Sequence, residues 1–237
     1  MGKSIEEYDF QKGEILLFDK DLDWTSFDLV RKLRNFLCRQ TGIKKLKVGH
    51  AGTLDPKATG LMIVCTGKET KNIDLLQAKE KEYVATIKLG ATTPSYDLET
   101  AENEQFPTDH LTLELVKENL INFIGEIDQV PPVFSAVKID GKRAYEHARN
   151  GSDMVLASKK ITISELELLS FSKEEIKLRV VCSKGTYIRA LARDLGVAIQ
   201  SGAYLVGLIR TRIGDLKLED AWNVQDFIEN FTANETN

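Results

Sequence analysis

Ile15-Leu16-Leu17-Phe18 is a short apolar run bounded by charge, and it predicts a buried strand within 13–20. The period then changes to that of a helix. Phe27, Val30, Leu33 and Leu37 make an apolar stripe, Thr25 or Ser26 can cap its start, and Gly42 lies just past its end. Residues 43–60, with Gly49, Gly52, Gly60 and Pro56, read as a basic loop. Leu61 to Cys65 is a second buried strand, followed by a helix from about Glu69 to Lys79. Tyr83, Ala85, Ile87 and Leu89 alternate with other residues at the period of a half-buried strand.

The stretch from Thr92 to Asp109 is polar and reads as a long loop with room for a short edge strand. Leu115, Val116, Leu120, Phe123 and Ile124 predict an amphipathic helix that stops at Gly125. Pro131-Pro132 open an extended segment to Ile139, Asp140-Gly141 is a turn signal, and a short basic helix follows from Arg143 to Arg149. Strands are expected over 160–171 and 175–182, then a helix near 187–200, a strand near 203–213 and a helix from Val224 to Phe231. Strands and helices mix without a regular βαβ rhythm, and several strands look like hairpin partners. The expected fold class is therefore α+β (mixed α/β), a largely antiparallel mixed sheet flanked by helices. One domain over 1–231 is the simplest division, with a disordered polar tail at 232–237.

Composition narrows the function without choosing it. The 237 residues are 42% hydrophobic and 29% charged, ordinary for a globular protein. No segment approaches the roughly 20 apolar residues that span a bilayer, and the N-terminus is not a secretory signal, so a cytoplasmic protein with no membrane association is expected. Cys38, Cys65 and Cys182 form no CxxC pair and sit among apolar residues, which suggests buried thiols. His50, His110 and His147 lack metal-ligand spacing, so no metal site is expected. The net charge of −4 weighs mildly against a nucleic-acid partner. Basic residues nonetheless cluster at Lys44, Lys45 and Lys47, at Lys138, Lys142, Arg143 and Arg149, at Lys184, Arg189 and Arg193, and at Arg210 and Arg212.

The chemistry concentrates in Val48-Gly49-His50-Ala51-Gly52-Thr53-Leu54-Asp55-Pro56-Lys57-Ala58-Thr59-Gly60. Pro56 holds Asp55 in extended geometry, so a carboxylate projects from a stiffened loop between basic and glycine residues. A lone Asp-Pro is usually only a turn; its surroundings here are what single it out.

That segment resembles the central motif of the TruB family of tRNA pseudouridine synthases, Gly-His-x-Gly-Thr/Ala-Leu-Asp-Pro-x-Ala-x-Gly, and the match runs on through Gly67-Lys68-Glu69-Thr70-Lys71. Four further stretches follow the family's order. Gly13 to Lys20 with Thr25-Ser26 is similar to the opening motif, and Lys81-Glu82-Tyr83 to the tyrosine motif. Pro132, Ser135 to Lys138, Gly141 to Tyr145 and Ala148-Arg149-x-Gly151 resemble an RNA-contacting insertion at about 130–155. Cys182 to Arg189, with Arg193 to Gly196, resembles the third motif. The chain departs from the family at Asp21, where Pro is usual, and at Ile209-Arg210, where many members have two arginines. It also ends soon after its last helix, where many members add a PUA domain; a short form without it is expected.

The resemblance implies the pseudouridine synthase fold and isomerisation of the T-arm loop uridine, position 55 of tRNA, by base flipping. Asp55 would be the catalytic carboxylate, either nucleophile or base at the sugar. Arg189 would be its paired cation, and Tyr83 would stack on the base and assist a proton step. His50 would fill space left by flipped bases, Lys20 would support the pocket, and Tyr187 and Leu208 would line it. Lys138, Lys142, Arg143 and Arg149 would hold phosphates. Substrate and product are isomers, so no cofactor or metal is required. The expected partner is tRNA through its T-arm stem-loop, with no obligate protein partner and a monomeric enzyme. A non-catalytic RNA binder should have lost Asp55 or Arg189, and both are present. A glycosidase needs a second positioned carboxylate, which the motif does not supply. Another RNA uridine is the remaining alternative.

Overall fold

Both hydrophobic periods are realised in the chain, and the computed structural model describes residues 7–134, 138–139, 142–143 and 156–233. In chain order the elements begin with β1 (Ile15–Lys20), α1 (Ser26–Thr41), β2 (Val48–Ala51), β3 (Ala58–Thr66), α2 (Ile73–Ala78) and β4 (Lys81–Leu89). Next come β5 (Ala91–Thr92), β6 (Glu104–Gln105), α3 (Leu113–Leu120), β7 (Gly125–Gln129), β8 (Lys138–Ile139) and β9 (Lys142–Arg143). The last are β10 (Lys159–Phe171), β11 (Glu175–Cys182), α4 (Ile188–Ala198), β12 (Ala203–Ile213), β13 (Leu216–Lys217), β14 (Trp222–Asn223) and α5 (Val224–Ala233). The chain divides into two units, 1–82 with 209–237, and 83–208; β4 and β12 contribute residues to both.

In the first unit β14, β1, β3 and β12 are successive neighbours, with β2 paired to β3 and β13 to β12. β1 runs antiparallel to β3, placing Lys20 opposite Gly60, and parallel to β14. Alternation sends Leu17 to one face, with Ala51, Leu61, Ile63, Cys65, Leu76 and Ile213. Phe18 points the other way, into an aromatic cluster with Phe36, Trp222, Phe227 and Phe231 that holds α1 and α5. Thr25 caps α1 in a full capping box with Asp28, and Gly42 ends it in the left-handed region (φ 69°). The buried stripe of α1 is Ser26, Leu29, Val30, Leu33 and Leu37; Phe27, expected in it, is 67% exposed, because Leu29 completes the i, i+4 set instead.

In the second unit β12, β4, β11, β10 and β7 follow one another. β10 is antiparallel to both β11 and β7. Ile87, Leu89, Ile163, Ile176, Leu178 and Val180 meet Val116 and Leu120 of α3 and Leu191 and Leu195 of α4 in its core. β5 and β6, and β8 and β9, form two separate small pairs.

Several element boundaries differ from what the sequence pattern predicts. Seven of the eighteen residues of the expected basic loop are strand, in β2 and the start of β3. The expected helix at 69–79 starts as a 3-10 turn, Gly67–Asn72, before α2. The helix expected to end at Gly125 is α-helical to Leu120 and continues as a 3-10 turn, Ile121–Phe123, before Gly125 opens β7; Ile124 is exposed rather than buried. The turn at Asp140-Gly141, most of the basic helix and residues 234–237 lie outside the described residues. Thr232 and Ala233 are helical, although a disordered tail was expected from 232. Cys65 and Cys182 are buried, but Cys38 is only partly so. No helix among the described residues is long and apolar enough to cross a membrane.

Candidate active site

The glycine motif folds as a hairpin. β2 and β3 pair from Val48 opposite Thr66 to Ala51 opposite Ile63, and residues 52–57 form the loop that carries Asp55. Residues of the first unit tie down the main chain of this loop. Ser26 Oγ donates to Leu54 O (3.0 Å) and accepts from Leu54 N–H (2.9 Å). Pro56 O accepts from Asp23 N–H (2.9 Å), and Lys57 pairs with Asp23 (2.7 Å). Arg210 donates from Nε to Leu61 O (2.7 Å) and from Nη2 to Gly52 O (3.0 Å), clamping both sides of the hairpin. Gly60 N–H donates to Asp19 Oδ1 (3.1 Å). Asp55 itself, next to Leu54 and Pro56, is half-buried.

Lys20 is fully buried, and its ammonium donates to the carbonyls of Asp21 (2.8 Å), Trp24 (2.7 Å) and Pro56 (3.5 Å). Burial lowers its pKa to about 8, against the pull of Asp21 and then Asp55. The structure thus places Lys20 beneath the loop as a support for the backbone. The departure at Asp21 is harmless to this bond, because proline would offer the same carbonyl. His50 lies on β2; burial, and then the charge of Arg210, hold its imidazole below the usual range and favour the neutral ring.

The other candidates belong to the second unit. Arg189, in the first turn of α4, is 5% exposed; it donates to Ser95 O (3.3 Å) and pairs with Asp97 (3.5 Å), which is equally buried. Tyr187 precedes α4, and its main chain is held by Gln129, which accepts from Tyr187 N–H (2.8 Å) and donates to Tyr187 O (3.1 Å). Tyr83 and Leu208 are half-buried against the core of this unit. Lys138 lies on β8, and Lys142 and Arg143 lie on β9 with Lys138 opposite Arg143. Arg149 lies outside the described residues.

Sequence reasoning missed Asp97, Gln129 and the clamping role of Arg210. Asp97 sat in a polar stretch that looked like solvated loop, and no local pattern joins it to Arg189. Arg210 counts among the basic clusters of the sequence, but it is 1% exposed. Arg212 is likewise engaged with Glu80 and Glu82, and Arg193 with Asp194 and the Val130 carbonyl. The clusters at 189–193 and 210–212 are therefore largely consumed internally, because carboxylates and carbonyls distant in sequence fold against them. The departure at position 209 falls on the exposed residue of its pair, and the arginine that is kept is the buried one.

Residues 39–188 match the N-terminal domain of TruB family pseudouridylate synthases. The chain is 61% identical over 220 residues to tRNA pseudouridine synthase B of Phocaeicola vulgatus, covering 93% of this chain and 94% of that protein. It is 53% identical to the protein of that name from Flavobacterium johnsoniae, covering 94% and 97%. Among solved structures it is similar to a chain from a Cbf5-Nop10-Gar1 complex, with a TM-score of 0.70 and 28% identity over 93% of this chain and 54% of that one. A substrate-bound H/ACA RNP matches in fold alone, at 23% identity and a TM-score of 0.67, over 96% of this chain and 56% of that chain. The chain thus spans about half the length of these two solved structures.

Proposed function

The chain belongs to the TruB family of pseudouridylate synthases, and on that footing we propose that it isomerises a uridine of tRNA, the T-arm loop uridine at position 55, to pseudouridine. The observation that carries the reading is the presentation of Asp55. A single half-buried carboxylate projects from a hairpin loop whose backbone is fixed at Gly52, Leu54, Pro56, Gly60 and Leu61. The name shared by the relatives supplies tRNA as the substrate.

The reaction breaks the C1′–N1 bond, turns the base and joins C5 to C1′, with no net change in composition. It asks for a carboxylate held at the sugar and for a pocket that keeps the freed base. Asp55 serves at the sugar, and the backbone clamps limit how far it can stray, which matters because small misplacements of a reacting group cost rate. Neutral His50, on the strand leading into the loop, suits contact with bases rather than with phosphate. Tyr83 stacks on the target base, Tyr187 and Leu208 line its pocket, and Arg189 is the cation the family motif pairs with Asp55. Lys138, Lys142, Arg143 and Arg149 hold phosphates. The enzyme acts as a cytoplasmic monomer on the T-arm stem-loop, without a partner protein.

The test is Asp55→Asn. Loss of turnover by more than about a thousandfold, read as tritium release from C5-labelled uridine in tRNA, with tRNA affinity unchanged, is the expected outcome. Activity within tenfold of the unaltered enzyme would reject the assignment.

A further inference from the structure

Among the described residues three non-glycine side chains sit on left-handed backbone, Asp23, Tyr96 and Gln200, and Tyr96 (φ 60°) is the one aromatic of the three. A bulky residue in that region is strained, so its surroundings must hold it there. Tyr96 closes a turn: its N–H donates to Thr93 O (3.1 Å) across Pro94 and Ser95, and its carbonyl accepts from Leu205 N–H of β12 (3.0 Å). Its two chain neighbours are buried, and both engage Arg189. Ser95 O accepts from Arg189, and Asp97 pairs with it.

The side chain against Tyr96 is Arg193. Its guanidinium carbon lies 5.0 Å from the Tyr96 ring centroid, within stacking range. Arg193 and Arg189 are four residues apart on α4 and so share a face, one turn along from each other. Successive residues of one turn, Tyr96 and Asp97, are thus gripped by two arginines of one helix face. The Arg193 plane is itself fixed: Nε and Nη2 both reach Asp194 Oδ1 (2.8 Å each), and Nη2 donates to Val130 O (2.9 Å). Val130 directly follows Gln129, whose amide brackets the Tyr187 main chain just before α4. One guanidinium therefore joins the 93–97 turn, α4 and the end of β7, all within the second unit.

We propose that Arg193 is a positioning residue for the isomerisation: it keeps Tyr96 in its strained conformation, and so keeps Asp97 and Ser95 O in place to orient Arg189. This role rests on the pairing of Arg189 with Asp55 proposed for the reaction. Without the stacked guanidinium, Tyr96 can relax from φ 60° to the negative region, a rotation of about 120° that swings the Asp97 carboxylate away from Arg189. Arginine suits the task because a planar, delocalised cation can stack on a ring while its edge donates to Asp194 and to Val130 O; an ammonium is a point charge and cannot do both. A phosphate would be served by either cation. That difference separates the two roles.

The experiment compares Arg193→Lys with the unaltered enzyme and repeats the substitution in a Tyr96→Asn background. Asparagine enters the left-handed region with little strain, so Tyr96→Asn removes both the ring and the need to hold it. Tritium release from C5-labelled tRNA gives kcat and KM, and tRNA affinity is measured across a series of salt concentrations. Arg193→Lys should lower kcat about tenfold or more, as misplacement at a reacting centre does, with KM and the salt slope unchanged. In the Tyr96→Asn background the same substitution should lower kcat by less than about threefold, because the two sites are coupled. Tyr96→Leu keeps the backbone strain without the ring face and should lose kcat as Arg193→Lys does; it probes the same contact with α4 untouched. A kcat within about twofold of the unaltered enzyme in Arg193→Lys or Tyr96→Leu, or equal losses from Arg193→Lys in both backgrounds, overturns the role. So does a loss confined to KM and the salt slope in Arg193→Ala and restored in Arg193→Lys, which would make Arg193 a phosphate contact. If the unaltered enzyme forms no pseudouridine, the isomerase reading falls and the role of Arg193 with it. If the unaltered enzyme turns over and Asp55→Asn does not, that reading stands whatever Arg193→Lys shows.

Discussion

Lys20 brings a cation to a position with no exposure, and its surroundings pull its proton equilibrium in two directions. Burial lowers the folded-state pKa to about 8, while Asp21 and Asp55 partly restore it. In the unfolded chain the same group titrates near its ordinary value of 10.5. Between these values the unfolded state holds a proton that the folded state has released, so the contribution of Lys20 to stability rises with pH across the window and levels off above it. The expected outcome is that urea denaturation of the unaltered protein gains on Lys20→Met between pH 8 and about 10. A gap that narrows over that range would mean that the three carbonyl bonds outweigh burial. Below pH 8 the charged lysine is retained for position: it ties Trp24 and Pro56 to the end of β1 directly beside Gly60.

Among the elements, the β2–β3 hairpin works because β12 packs against it without a side chain in the way. Gly60 has φ 103°, and a Cβ there would meet the Arg210 carbonyl oxygen at 2.4 Å and the Arg210 nitrogen at 2.6 Å. Gly60→Ala should therefore cost at least about 2 kcal/mol, from backbone strain and overpacking together. It should also displace the Arg210 clamp and reduce kcat. Gly42, which ends α1, is the control: its φ of 69° is strained for alanine, but nothing lies within 4 Å of the added Cβ. Gly42→Ala should lose about 1 kcal/mol and leave kcat unchanged. Denaturant midpoints and tritium release on the two variants check this, and equal effects on kcat would dissociate the clamp from catalysis.

For the whole molecule the question is how an acidic protein holds an acidic polymer. Ion pairs and backbone carbonyls engage Arg189, Arg193, Arg210 and Arg212, and the function proposed above assigns phosphates to Lys138, Lys142, Arg143 and Arg149. Changing Lys142, Arg143 and Arg149 to Ala should weaken tRNA binding and flatten its salt dependence by about 0.7–0.9 for each phosphate no longer neutralised, with kcat at saturation nearly constant. A matched change at Lys173, Lys177 and Lys217 should do neither. Titration of both variants with tRNA over a range of salt concentrations measures the slopes; identical slopes would mean diffuse binding by overall charge.

Local patterning was enough to establish the mixed fold class, the order of the main strands and helices, and the loop that carries Asp55. Each has a cause within a few residues: alternation in β4 and β11, the capping box at Thr25, glycine and proline at fixed places in the motif. The destinations of the charges were visible only after folding. Arg210 stands in a basic cluster of the sequence, yet it disappears under Gly52 and Leu61, and Arg189 also pairs with Asp97. Lys20 ended beneath the loop because β1 pairs with β3 in a register that sets it opposite Gly60. Lys45 and Lys68, 23 positions apart, line one cavity. A charged side chain has no periodicity to reveal its partner. Its fate depends on which carbonyl or carboxylate the fold brings within about 4 Å, and that contact is made between residues tens of positions apart.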